Sequence, residues 1–274
     1  MANEIAFKAE AAAEYDRAFQ HVSSYFLPFA IRAAGIARGQ RVLDVATGTG
    51  ISAEAALAVV GPGGSVVATD ISPDMTALAS KRLALAPNAT IAVEDGQALR
   101  FPDSRFDAVL CSLGLMFFPD PGLGLAQFHR VLRPGGRAAV LVKVALERSY
   151  NFRVNAVIAQ YKPGLAQVIA GLFGLGDPVR MKALFDAAGF EDFQTSTENH
   201  TFVLPSFDAY YQPFERGGAS TGQLLSGLPD AERAAVRAEM RRSLNDTGGP
   251  ISIEVEYRIA SGGRAPAATP PRSE

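Results

Sequence analysis

From residue 41 onward, short apolar runs alternate with stretches of helical spacing, the pattern of a doubly wound parallel α/β sheet. RVLDVA (41–46), SVVATD (65–70), TIAVED (90–95), FDAVLCSLG (106–114) and RAAVLVKVA (137–145) read as five buried strands. Between the first two, ISAEAALAVV predicts a helix closed by the turn GPGG at 61–64. ISPDMTALASKRLAL places Ser72 as an N-cap and Pro73 at the first helical position, and predicts a helix to about Leu85. This ordering puts ligand chemistry at the carboxyl ends of the strands, where Asp44, Asp70, Asp95 and the Cys111–Ser112 pair stand.

Elsewhere the rhythm changes. Residues 1–40 hold EYDRAFQHVSSYFLPFAIRAAG, one or two helices ahead of a core at 41–146. Residues 147–178, rich in aromatics and glycine, read as a helical insertion. An amphipathic helix ending in Gly189 and a long exposed strand, FQTSTENHTFVL, fill 179–205. A second, polar helical insertion covers 206–248, and ISIEVEYRIA alternates as a last strand within 249–261. Residues 262–274, rich in Gly, Pro and Ala, read as a disordered tail. The two insertions are expected to roof a pocket.

Composition narrows the partners. Lys+Arg 26 against Asp+Glu 28 lacks the basic footprint of phosphate-backbone binding, so nucleic acid is not an expected partner. The single cysteine, Cys111, excludes an internal disulfide and a multi-cysteine zinc site, fits a reducing cytoplasm, and accompanies no cluster of metal-ligand spacing. With no stretch of about 20 uninterrupted apolar residues, stable membrane insertion is not expected. A homodimer remains open.

Within LDVATGTG (43–50), the six residues GTGISA satisfy the permissive G-x-G-x-x-G/A pattern of nucleotide-binding turns. Asp44, four residues before Gly48, would repel a pyrophosphate but attract a ligand carrying an ammonium and a sulfonium. VLDVATGTG resembles the first motif of class I S-adenosylmethionine-dependent methyltransferases, with Ala46 in place of the first glycine. That replacement is familiar in the subgroup resembling ubiquinone and menaquinone C-methyltransferases, and is expected where the backbone need not take a positive φ. VVATDIS, EDGQALRFPDSRFDAV, LCSLGLMFF and FHRVLRPGGRAAVL resemble later motifs of the family in the right order, so the likeness covers about 41–145.

The resemblance implies a Rossmann-like seven-stranded sheet with its last strand antiparallel and helical insertions forming a cap. S-adenosylmethionine would be the cofactor and S-adenosylhomocysteine the product. Asp70 would accept from the ribose hydroxyls, its alternative role being a helix cap. Ile71 and Met75 would sandwich the adenine or simply pack. Asp95 would take the adenine amine, with Gly96 and Gln97 giving backbone contacts, or else serve as a turn residue. Gly48 and Gly50 would admit the methionine part, whose ammonium Asp44 would orient with Thr47 or Thr49. The carbonyls of Cys111 and Ser112 would face the same amino group.

For the acceptor, Tyr15, Phe19 and Tyr25 are candidate lid residues or ordinary packing. His21 is the histidine expected to reach the pocket, while His129 and His200 read as structural. Tyr15, His21 and Tyr25 are the catalytic candidates. Phe19, Leu115, Met116 and Phe117, with Phe118, suggest an apolar wall for a small-molecule acceptor. In-line displacement needs mainly alignment and exclusion of water, and phenolic or enolic oxygen or activated carbon are the preferred acceptor atoms. The Arg233, Arg237 and Arg241 row reads as a solvated face. Alternatives are a non-catalytic module binding the same ligands, an NAD-dependent oxidoreductase, and aminopropyl transfer.

Overall fold

In the computed structural model, which describes residues 9–162 and 164–267, a 25-residue helix α1 (Ala9–Ala33) precedes the sheet. The alternating segment then gives β1 (Arg41–Val45), α2 (Ile51–Val60), β2 (Ser65–Asp70), α3 (Pro73–Arg82), β3 (Ala89–Val93), β4 (Phe106–Ser112), α4 (Pro121–Val131) and β5 (Leu132–Lys143). After α5 (Phe152–Ile158) and α6 (Leu165–Leu172) come α7 (Pro178–Ala187) and the edge strand β6 (Glu191–Leu204). Helices α8 (Phe207–Glu215), α9 (Ala219–Ser226) and α10 (Asp230–Ser243) lead to β7 (Ile251–Gly263).

The seven strands pair in the order β3-β2-β1-β4-β5-β7-β6, parallel through β5, with β7 antiparallel to both neighbours. From β1 the chain winds outward to β3 and returns on the other side at β4, so the crevice opens beyond the carboxyl ends of β1 and β4. Strands β1, β4 and β5 are buried on both faces. Val42, Ala108, Leu110 and Leu141 pack beneath α1 and α2, while Leu43, Val109, Val140 and Val142 pack beneath α4 and α7.

Several boundaries shift for local reasons. α3 ends at Arg82 rather than near Leu85, and β3 ends at Val93, leaving Asp95 in the following turn. β5 begins at Leu132 because Leu132 pairs with Phe106; a register irregularity takes up RPGG before Arg137 pairs with Ala108. The last strand runs through Gly263, past the point where the tail was expected to begin. Arg264 fixes that end: its amide donates to the Gly136 carbonyl and its guanidinium to the carbonyls of His129, Arg130 and Leu132. Residues 268–274 of that expected tail lie outside the described residues.

Aromatic side chains join α1 to both insertions. The Tyr150 ring lies 5.7 Å from Phe19, 5.2 Å from Tyr210 and 6.3 Å from Phe214, and Tyr210 Oη donates to the Tyr150 carbonyl at 2.6 Å. Each ring so buried contributes about 1.5–3 kcal/mol by leaving water. The arginine row is more than a solvated face: Arg237 pairs with Asp208 and Glu215, and Arg241 with Asp208 and Asp246, which fastens α10 to α8.

Candidate functional site

The loop after β1 turns through left-handed backbone at Ala46 (φ 56), Gly48 (φ 57) and Gly50 (φ 89). The sequence reading allowed Ala46 on the assumption that φ there is not positive, and the structure overturns it. Alanine bears the strain, of order 1 kcal/mol or more, and its methyl fills space that glycine leaves at position 114. A Cβ on Gly114 would stand 2.4 Å from the Ala46 Cβ. Gly50 is tightly placed as well, since a Cβ there would lie 3.2 Å from the Ala79 Cα on α3.

Asp44 sits beneath this loop with no solvent exposure. Its Oδ2 accepts from Thr47 Oγ1 at 2.5 Å and from Ser52 Oγ at 2.6 Å, while its Oδ1 is buried without a partner. Burial pushes its carboxyl up to about 7, against the pull of the Ser52 and Thr47 hydroxyls and the Ala53 amide and with added repulsion from Asp70. An orphaned carboxylate oxygen at this depth is costly unless a cation or donor meets it. The ammonium of an amino-acid ligand fits that requirement, as the resemblance to S-adenosylmethionine enzymes implies.

At the end of β2, Asp70 Oδ2 accepts from the Gly48 amide and Oδ1 from the Ser72 amide, each at 2.9 Å. Burial raises its carboxyl, and these amides with that of Ile71 oppose the rise. Each oxygen keeps a lone pair for a further donor such as a ribose hydroxyl. Helix capping at this point falls to Ser72, whose Oγ accepts from the Met75 amide at 3.4 Å.

A cavity of about 50 Å³ opens over the loop, lined by Ala46, Thr47, Gly48, Thr49, Ile51 and Ser52, by Ser112 and Leu113 from the end of β4, and by Ser23 and Leu27 from α1. Helix α1 is latched across it. Asp16 accepts from Thr49 Oγ1 at 2.7 Å and from Arg82 at 2.5 Å; Arg82 also donates to the Thr49 carbonyl at 2.9 Å and to Glu54 at 3.0 Å.

Of the residues expected to face adenine, Met75 is buried and Ile71 is 67% exposed. Asp95 uses Oδ1 to accept from the Gln97 amide at 2.8 Å, a turn of its own making, which leaves its other oxygen open. Gly96 lets the Phe118 ring approach, for a Cβ there would fall 2.4 Å from it. Gln97 Oε1 accepts from the Asp120 amide at 2.8 Å, tying this turn to the start of α4.

At the exit of β4, the Cys111 side chain is fully buried and its thiol is pushed up by that burial, so it is filler rather than nucleophile. Leu113 takes φ 58 and reaches the cavity. Of the expected apolar wall, Leu115 is buried in the core beneath α4, Met116 in the turn after β4 meets Lys143 at the end of β5, and Phe117 is 39% exposed. Phe19 belongs to the aromatic joint with Tyr150 and Phe214.

Two of the three catalytic candidates, His21 and Tyr25, do not reach the loop. Ser23 and Leu27 face it, and helical spacing turns Tyr25 away, where its ring stacks on His200 at 3.8 Å. His21 packs edge-on to Tyr150 at 5.4 Å and Phe202 at 5.3 Å, and burial lowers its imidazole. The side chain of Tyr15 lies outside the described residues. His129 packs on Phe190 at 5.1 Å.

Sequence reasoning passed over Asp16, Ser23, Leu27, Ser52, Arg82, Leu113 and Lys143. Ser23 and Leu27 carried a signal in their four-residue spacing, and Lys143 a stronger one as the lone charge in an apolar strand run. Lys143 is 6% exposed at the carboxyl end of β5, with Nζ 4.0 Å from Met116 Sδ and 4.7 Å from the centre of the Phe152 ring. Burial pulls its amine down to about 7.

A family model described as a methyltransferase domain matches residues 42–136. A ubiquinone/menaquinone biosynthesis C-methyltransferase of Saccharophagus degradans is 33% identical over 188 residues, 63% of this chain and 75% of that protein. Its counterpart in Geobacter sulfurreducens is 34% identical over 192 residues, 64% of this chain and 73% of that one. Among solved structures, the YcgJ protein of Bacillus subtilis has a TM-score of 0.60 and 20% identity over 88% of this chain and 99% of its own, a likeness of fold.

Proposed function

Because the chain belongs to the class I S-adenosylmethionine-dependent methyltransferases, and is an enzyme that takes its methyl group from that cofactor, we propose that its acceptor is a small, largely apolar ring compound methylated at carbon or oxygen. The observation that carries this reading is the pairing of the orphaned Asp44 Oδ1 with an apolar acceptor side. Met116, Phe152 and Phe117 lie beyond the ends of β4 and β5, and Leu113 faces the cavity itself. The relatives named for C-methylation in quinone biosynthesis support a ring acceptor.

Bound S-adenosylmethionine supplies an electrophilic methyl group on a sulfonium that is already a good leaving group. The protein's own residues then have three tasks. Asp44 would hold the ammonium, Asp70 the ribose hydroxyls and Asp95 the adenine amine, which fixes the donor's orientation. Helix α1, latched through Asp16, would keep water from the loop. The insertions at 147–178 and 206–248 would shape the acceptor side as a cap.

Calorimetry against S-adenosylmethionine, S-adenosylhomocysteine and NADH tests the donor side. A screen of phenols, quinols and enolic ring compounds for a one-methyl mass gain tests the acceptor. Binding of both adenosyl ligands with methylation of at least one ring acceptor supports the proposal. Methylation confined to amines would overturn the acceptor reading, and adenosyl binding without turnover on any acceptor would favour a non-catalytic module.

A further inference from the structure

An ammonium buried in an apolar strand end is among the costliest groups a core can hold unless it has a partner. Lys143 is such a group. Its neighbours at Nζ are a thioether and an aromatic face, and among the described residues no carboxylate lies within ion-pair distance. Among the described residues, the elements packed around it supply no counter-charge. The turn after β4 offers Met116, α5 offers Phe152, and the turn before α7 lays Gly176 against the Lys143 carbonyl. On β7 its register partner is Tyr257, flanked by Glu256, which pairs with Arg148, and by Arg258, which donates to the Gly176 carbonyl.

Position gives this residue its meaning. Leu141 pairs with Ser112 across β4 and β5 and accepts from the Leu113 amide at 2.8 Å, and Ser112 and Leu113 line the cavity over the glycine loop. Lys143 stands two residues further, about 7 Å along the strand toward the cap. Three residues before and three after Phe152 in the chain, Ser149 Oγ and Asn155 Oδ1 are also buried without partners. A buried amine left without a partner at a strand end beside the site calls for a ligand that supplies one.

We propose that Lys143 is an acceptor-binding residue that pairs with the ionised hydroxyl of a phenolic or enolic acceptor. The inference rests on the methyl-transfer reading above and narrows its acceptor class. In the unprotonated state the Nζ lone pair takes the hydroxyl proton, the O–H bonding pair stays on oxygen, and the products are a phenolate or enolate and an ammonium in contact. Net charge is unchanged by the transfer. The oxyanion spreads its electrons into the ring, so the same ion pair activates oxygen or the adjacent carbon as the methyl-accepting atom.

The test uses the full chain saturated with S-adenosylhomocysteine and 4-nitrophenol as probe, at a pH below the probe's own solution pKa. Wild type is expected to bind it with the visible absorption of nitrophenolate. Lys143→Met, with Lys143→Gln made in parallel in case the first does not fold, should bind it about 10- to 100-fold more weakly and without that absorption. S-adenosylhomocysteine affinity, read by calorimetry, should stay within about twofold of wild type, since no charge-bearing donor contact is touched. A merely structural lysine would change the unfolding temperature but not the probe's ionisation. Wild type that fails to bind the probe, or binds it as neutral phenol, or variants that still ionise it, would overturn the proposal. Failure of wild type to bind S-adenosylhomocysteine would instead strike the donor assignment.

Discussion

Asp44→Asn should separate binding from stability. The substitution keeps the shape of the side chain, and the amide oxygen can still accept from Thr47 and Ser52. What disappears is the charge behind the unpartnered Oδ1. Losing one side of a buried charge pair costs about 2–5 kcal/mol, so S-adenosylmethionine affinity should fall by roughly 30-fold to a few thousand-fold. The ligand-free protein should respond in the opposite sense. The folded carboxyl ionises near 7 against an ordinary 3.8, so its contribution to stability is whole below about 3.8 and lost as pH rises through about 7. Ionising the carboxyl in the folded protein rather than in the unfolded chain therefore costs about 4 kcal/mol. The variant, neutral in both states, escapes that loss. Urea unfolding without ligand should show its advantage over wild type growing by roughly 2–3 kcal/mol between about pH 5 and pH 8. A stability gap that does not move with pH, or S-adenosylmethionine affinity equal to wild type, would refute the reasoning.

Asp70→Asn should weaken S-adenosylmethionine about 10- to 100-fold in calorimetry through loss of charge-assisted acceptance, while His129→Ala, on the far side of α4, should leave it nearly unchanged. Arg82→Ala removes the group that joins Asp16, Thr49 and Glu54, and should raise amide exchange in the first half of α1 and speed ligand release. Ala46→Gly relieves a left-handed alanine but frees the unfolded chain, so denaturation should register a change below about 1 kcal/mol. Gly50→Ala meets both φ 89 and the α3 backbone, and should destabilise by about 2 kcal/mol or more.

The parallel half of the sheet was legible because buried strands and their helices write continuous apolar runs and turn residues into the chain; α2 and β2 fall where ISAEAALAVV and SVVATD predict them. Antiparallel β7 was legible for the opposite reason, alternation, and β6 as a long exposed polar run. The residues expected on the donor side follow the ends of β1, β2, β3 and β4, so the apolar runs that mark those strands also mark them. The acceptor side has no such markers. Tyr25 and His21 looked eligible because their segment interleaves aromatic and polar residues as a lid would, but only one face of a helix can look down, and Ser23 and Leu27 occupy it. Backbone sign at Ala46 was invisible because alanine rarely takes it, and its tolerance depends on Gly114, far along the chain. Lys143 is hidden in a strand pattern, although an unpaired charge in such a run signals that something other than packing keeps it.

The place of β7 bears on how the molecule is made. It lies between β5 and β6, yet its residues 251–263 are translated after both. Until they leave the ribosome, the nascent sheet ends at β5 with a bare row of amides and carbonyls, and β6 has no partner to join. Synthesis of α8, α9 and α10 extends that wait, during which the open edge invites pairing with other chains. Chaperone demand during expression should therefore concentrate in this late window, and a chain stopped before residue 251 should aggregate rather than persist as a smaller folded protein.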